Sequence, residues 1–597
     1  MKKPSRVLRV VATLGMLVGL LAAFGASPAA AASDPGWTPG INPGASKLLY
    51  TVGGAQEVYF PWVYNNDNFG LGEADGSVSI QNLSPAPGYV FFYVGNGNGY
   101  TYSTYAYLAG GASKTFSADA IGVPEAGAPV VAAVYSDIRV PGSVTGTTTV
   151  CEWQYGVDID GDGDASACVE VQTYADVNYI VPLQAAGVAK SAVAGASLPY
   201  TSSADTAVSG YNGLSGAEVG QFDEHYLPLV QTNGGPGGAW DTRVTVANLR
   251  GDANAAVTLR FFANDGDGSG SLQTGWQENV LVNPGAVYQI TMSDYVPEGW
   301  TGNVHIYSDT AVGAIADRYK VGTDMWLTNI GSNANFEWDN SLYGIFSGKF
   351  VLFAPTVYMD YNGWNTGFSV ANLANYDNNV DIQYIHNGNA IQVVNQRLAA
   401  HGMLTAYRPS APSQDQNQQD PMYDQVAGAL ILSDEPVAAV VDAVKYFGND
   451  NNVGQAMSYN ATANLSAFQA NPLVQKGSPT TGMGATSGIT LLNPLPIQNS
   501  IEVQWLNQSG FQADNFGVST LIVPASSIGI AYTMTQHNLP NGYYGSVLTF
   551  GTLPYAATTG NVDYQVDGDG SVIWNSYNPC GQFRSISFEC GFFGPIG

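Results

Sequence analysis

The chain has 597 residues, of which 19 are Lys or Arg and 47 are Asp or Glu, giving a formal charge of −28. So acidic a surface repels phosphate, because nucleic-acid binding depends on basic residues displacing counterions, and this excludes nucleic acid and anionic membrane as natural partners. Charged residues make up only 11% while Gly numbers 71 and Tyr 35, a mixture that favours strands and tight turns over helices.

Residues 1–32 have the three parts of a secretory signal: basic Lys2, Lys3, Arg6 and Arg9, an apolar run from Val11 to Phe24, and small residues at Ala30-Ala31-Ala32. The apolar run is too short for a confident membrane span, so no membrane insertion is expected after cleavage. Removing four basic residues leaves 15 against 47 acidic ones, a mature charge of −32. The remainder is long enough for about three to five domains.

The mature chain repeats itself. A Pro, an apolar or hydroxyl residue and Val open each candidate unit, at Pro61-Trp62-Val63, Pro228-Leu229-Val230, Pro355-Thr356-Val357 and Pro472-Leu473-Val474. Some 17 to 21 residues after each Pro, an alternating strand ends in Asn: "SVSIQNL" (Asn82), "RVTVANL" (Asn248), "GFSVANL" (Asn372) and "GITLLNP" (Asn493). A second strand then runs into a Gly/Asn/Asp turn, as in "AAVTLRFFANDGDG", which is a hairpin signal. A strand, turn and strand follow, then a strand that ends in Ser-Asp in three of the four units. About seven short strands per unit predict a β-sandwich. The expected organisation is 33–205, 206–332, 333–455 and 456–578, with a tail at 579–597. The Asn-to-Asn spacings are 166, 124 and 121 residues, so the first unit carries an insertion.

That insertion holds "DIDGDGDASAC". Asp158, Asp160 and Asp162 stand at positions one, three and five of a D-x-D-x-D-G loop, with Gly163 at the turn and the Asp164 carbonyl at position seven. Alternate carboxylates suit a hard cation, so the loop is a candidate structural Ca2+ site. Position twelve is Val169, and the nearest acid, Glu170, falls one place late. The competing reading is an acidic surface turn, of which "NDGDGSG" at 264–270 and "VDGDGSV" at 566–572 are further examples. In an exported chain four cysteines read as two disulfides, most simply Cys151 with Cys168 and Cys580 with Cys590. The first would close a loop of about 17 residues, worth about 3 kcal/mol in chain entropy.

Loop aromatics recur: Trp240 and Trp364 in one loop, Trp300 with Tyr543 and Tyr544 in another. Aromatic faces beside Asn and Asp fit sugar rings, which makes Trp240, Trp300, Trp364 and Tyr543 candidate carbohydrate-binding residues. Equally, they can plug the ends of a sandwich core. His225, His305, His386, His401 and His537 form no metal or nucleophile motif, and His305 and His386 lie within strands as packing or surface residues.

By its repeats and composition the mature chain resembles the tandem immunoglobulin-like or fibronectin-like proteins that bacteria export to their surfaces, including adhesins and surface-layer subunits. That resemblance implies an all-β array of four tandem β-sandwiches with no enzymatic activity, and a structural or adhesive role. Self-association and surface glycans are the expected partners, and the location is secreted or at the cell surface. The alternatives are a carbohydrate-binding protein and a secreted hydrolase.

Overall fold

The computed structural model describes residues 55–69, 72–83, 88–109, 111–135, 144–151, 168–174, 193–197, 200–201, 209, 211–215, 224–235, 239–264, 270–323, 325–332, 346, 348–407, 424–446, 454–478, 483–509, 516, 518–563 and 571–576. The chain divides after Pro43, and all of these residues belong to the second body, Gly44–Gly597. Of the described residues 70% are in strands and 3% in helices, an all-β protein in several sheets.

The second repeat shows the plan. Its strands in chain order are Glu224–Gln231, Trp240–Asn248, Ala255–Asn264, Gly270–Val282, Val287–Thr291, Thr301–Ser308, Val312–Lys320 and Trp326–Ile330. Numbering them one to eight, the first sheet runs 1-6-3-4 and the second 5-2-7-8, antiparallel throughout. Leu227, Val244, Val257, Leu259, Ile290, Val304, Ile306, Val312 and Ala314 fill the core between the sheets.

The same order recurs in the other repeats. In the third repeat the first strand, Phe350–Tyr361, also pairs with the second, Trp364–Asn372, and joins the sheets edge to edge. In the fourth, one strand of 21 residues, Tyr543–Asp563, serves as strands six and seven of both sheets. An immunoglobulin constant domain groups strands A, B, E and D against C, F and G. Here strand one sits with three and six, and strand seven with two and five, so the partition differs from the immunoglobulin one.

Each repeat has an eighth strand where about seven were expected. Tyr211–Asn212 pairs with Val193–Ser197, and Gly454–Asn460 pairs with Val437–Tyr446. Tyr211–Asn212 therefore lies beyond residue 205, and Gly454–Asn460 runs across residue 455. These strands follow a connector and carry little alternation of their own. The insertion of the first repeat contributes the hairpin Val144–Cys151 and Cys168–Tyr174.

The opening Pro has a structural reason. In every repeat the first strand's register shifts across it: Phe60 to Val63, Leu227 to Val230, Ala354 to Val357, and Asn471 to Val474. A β-bulge leaves a residue unpaired, and Pro, which has no N–H to donate, is tolerated there. Beyond the bulge, backbone N–H groups find hydroxyls on the second strand: Gln231 on Thr242 at 2.8 Å, Tyr358 on Thr366 at 2.8 Å and Gln475 on Ser487 at 2.7 Å.

Candidate functional site

The Asn that ends each second strand is buried in all four repeats. Its amide donates to loop carbonyls: Asn82 to Leu108 and Ala109, Asn248 to Ala253 and Val282, Asn372 to Tyr376 and Ala399, Asn493 to Ile497 and Pro524. In three repeats its carbonyl also accepts an N–H two residues on, from Arg250, Ala374 or Leu495. Only a short side chain with both donor and acceptor can pin two loops at once. Asn372→Ala is expected to cost about 2–4 kcal/mol in chemical denaturation, since buried carbonyls lose their donors. Asn372→Asp should recover none of it, because an ionised carboxylate only accepts.

This pinned corner presents a leucine to the preceding repeat. Strands alternate faces, so while Phe60, Val90, Phe92 and Val130 line the first repeat's core, Tyr59, Phe91, Tyr93 and Val131 form its outer face. Leu249, Ala247 and Ala311 of the second repeat pack on that face, and Tyr100 donates to the Asn248 carbonyl at 3.1 Å. Leu373, Ala371, Met403 and Val440 of the third repeat meet Leu229 of the second. Leu495 and Leu492 of the fourth meet Phe346, Val351, Phe353, Ile385 and Leu430 of the third. Leu83 of the first repeat then meets Phe468, Ala470, Leu506 and Leu548 of the fourth, beside a 2.9 Å hydrogen bond from Gln81 to Ser546. One heterologous contact, used four times, closes on itself.

The eighth strands touch in the same cyclic order: Tyr211–Asn212 with Trp326–Ile330, then Gly454–Asn460, then Ser571–Asn575, and back to Tyr211–Asn212. Asn460 donates to the Ile330 carbonyl and to Ser332, and Asn575 donates to the Asn460 carbonyl at 2.7 Å. The doublets Tyr211-Asn212, Tyr459-Asn460 and Trp574-Asn575 were the available sequence signal for these strands.

Among the described residues, two seams contain buried ion pairs. Between the first and second repeats, Arg243 contacts Asp67 at 2.7 Å and Asp317 at 3.2 Å. Asp317 is fully buried and accepts from Tyr64 at 2.5 Å, Thr328 at 2.9 Å and Trp326 at 3.3 Å, while Trp62 donates to Asp67 at 2.9 Å. Burial opposes the Arg243 charge, but Asp317, Tyr64 and Asp67 outweigh it and hold the guanidinium protonated. Burial and the Asp317 charge push the Tyr64 hydroxyl well above its ordinary range. Between the second and third repeats, Arg318 grips both oxygens of Asp442, at 2.6 and 2.5 Å, and also donates to Asn329 and Ser458. Asp317 and Asp442 occupy the same place on the seventh strand, five residues after the Val opposite Asn248 or Asn372.

Glu57 lies two residues before Tyr59, whose hydroxyl donates to it. Burial raises its carboxyl from an ordinary 4.5 to about 7, against the lowering effect of Tyr59. Because the folded value is the higher one, stability from this group is complete below pH 4.5 and is lost as pH rises to 7. Glu57→Gln should therefore raise the thermal midpoint at pH 8 and leave it nearly unchanged at pH 4, as read by scanning calorimetry.

The aromatic candidates are covered. Trp240, Trp300, Trp364 and Tyr543 are 4, 8, 4 and 4% exposed, so none offers a ring face to a sugar. Trp240 packs with Met325, Leu327, Val444 and Ala456 across the seam between the second and third repeats. Trp300 and Trp364 plug their own cores, and the Tyr543 hydroxyl donates to the Leu506 carbonyl. Large apolar area decided their placement.

Asp158, Asp160, Asp162 and Asp164 lie outside the described residues, as do Cys580 and Cys590. Glu170 is on the strand Cys168–Tyr174, opposite Thr149, and the same register sets Cys168 opposite Cys151. Among the described residues, no three His, Cys, Asp or Glu side chains gather as metal ligands, and no helix is long and apolar enough to cross a membrane.

No family model matches the chain, and no curated protein does either. Among solved structures, a Thermotoga maritima protein, 1070, is similar over 19% of this chain and 95% of its own, at 10% identity and a TM-score of 0.17. A tetra-tandem repeat from the extending region of a large adhesion protein is similar over 87% of this chain and 98% of its own, at 10% identity and a TM-score of 0.10. Scores this low carry no argument about fold or function.

Proposed function

We propose that the chain is an exported, non-enzymatic protein of the cell surface with a structural or adhesive role, built of four β-sandwich domains behind a signal at residues 1–32 that is removed. The observation that carries this reading is the cyclic closure. The buried ions Arg243, Asp317 and Arg318 hold repeats to one another, and the recurrent leucines seal the seams. Such a body resists local opening, because each repeat is held from two sides.

The insertion of the first repeat is an element the others lack, and we assign it the role of a stiffened appendage. A Cys151–Cys168 disulfide fits their opposed register, and Ca2+ at Asp158, Asp160 and Asp162 would neutralise the acidic loop. The partners are further copies of the chain or surface glycans.

Cell fractionation and immunogold labelling, with N-terminal sequencing and light scattering of the mature protein, test the proposal. The expected result is a chain beginning near residue 33 at the cell surface. A cytoplasmic protein that keeps its first 32 residues would overturn it, as would turnover of a polysaccharide or ester by the purified chain.

A further inference from the structure

Three of the four seams are built alike, and the fourth is different. Strand six of each repeat places one residue on the outer face where the next repeat's corner lands. Aligning registers around the bulge, these are Val131, His305, Leu430 and Leu548. Val131, Leu430 and Leu548 all belong to the apolar clusters that receive the next repeat. His305 alone is ionisable, and it is fully buried.

The corner that lands on it is also unusual. The turn before the fifth strand takes a left-handed residue in every repeat: Gly111 at φ 73°, Gly285 at 61°, His401 at 57° and Ser526 at 46°. Glycine adopts this conformation freely, whereas a side chain is disfavoured there. The third repeat nevertheless has His401, and its ring stands edge-on to His305 with centroids 5.0 Å apart. Phe262 lies against both, at 4.6 and 4.4 Å, and Tyr226 is 4.8 Å from His305. Across the seam, Asn303 donates to the His401 carbonyl at 3.2 Å.

We propose that this histidine pair makes the seam between the second and third repeats an acid-labile joint in an otherwise closed body. Nε2 of His305 and Nδ1 of His401 have no hydrogen-bond partner among the described residues. A proton added to either therefore creates a cation with nothing to receive its N–H.

The groups facing the pair do not relieve this. On the first strand are Tyr226 and Glu224, and the Tyr226 hydroxyl already donates to Glu224. On the third strand is Arg260, a further cation, whose guanidinium lies over the Tyr307 ring at 5.1 Å. On the sixth strand itself Tyr307 stands 3.5 Å from Nδ1 of His305, and from the third repeat comes His401. Burial first, then His401 and Arg260, lower His305 from 6.5 to about 3, and burial and Arg260 lower His401. With folded values below unfolded ones, the seam's stability is complete above pH 6.5 and falls as pH drops toward 3. Linkage allows up to about tenfold per pH unit for each histidine in the opening equilibrium.

The test uses the full-length mature protein and its variants His305→Leu and His401→Gly, which install the residues found at the matching seams. Hydrogen exchange of strands Glu224–Gln231, Thr301–Ser308 and Met403–Tyr407 would be followed from pH 7 to pH 5, with intrinsic exchange rates corrected. In the parent, the seam's opening constant should rise by about 20-fold over this range from His305 alone and by more with His401, and the other three seams should not follow. The double variant should lose most of that rise. His305→Gln, which keeps a polar side chain without the titration, guards against a packing artefact and should lose the His305 share of the rise, leaving only that of His401. An undiminished rise in either variant would overturn the proposal, as would acid opening that begins at another seam.

Discussion

Arg243→Met is expected to lower the unfolding free energy by about 3–5 kcal/mol, because removing one partner of a buried ion cluster leaves uncompensated charge behind. The loss is large here because Arg243 faces two carboxylates, Asp67 and Asp317, and no other cation contacts them among the described residues. Asp317 is fully buried and cannot turn to water. Its acceptance from Tyr64, Thr328 and Trp326 stabilises one negative charge, not two. Adding Asp67→Asn should therefore recover part of the loss, and urea denaturation of the single and double variants measures both. If Arg243→Met alone were neutral, the cluster would hold nothing together.

Ending the chain after Asn460 should destabilise the three repeats that remain. In an open array each repeat contacts only its neighbours, and losing a terminal one leaves the far end untouched. Here removal of the fourth repeat uncovers Val351, Phe353, Ile385 and Leu430 at one end and Leu83 at the other. It also takes away Val562 and Ile573, which pack into the core of the third repeat. The truncated chain should melt lower, bind a hydrophobic dye and show faster hydrogen exchange around Leu83, in the repeat most distant in sequence. An unchanged first repeat would mean that the closing seam contributes little.

Much of this architecture was legible in the sequence. The repeated Pro and Asn mark local requirements, a bulge that needs no N–H and a corner that needs a donor and an acceptor together, so they recur wherever the fold does. The insertion of the first repeat was visible from its spacing. The eighth strands were not, since two to seven residues beside a connector show too little alternation to register. The loop aromatics were ambiguous for another reason: Trp240 and Trp364 read the same in a groove or in a core, and only burial separates the two.

His305 and His401 show the limit most clearly. They are 96 residues apart and belong to no motif, and nothing in the sequence joins one to the other. The sequence by itself determined the all-β class, the fourfold repetition and the acidic surface, because strand alternation, turn residues and charge are local or additive properties. Tertiary structure alone decided that the repeats close on themselves, that Arg243 and Arg318 lie in the seams, and that two distant histidines share one of them. Those facts depend on which outer faces meet, and contact between faces far apart in the chain leaves no periodic trace in a single sequence.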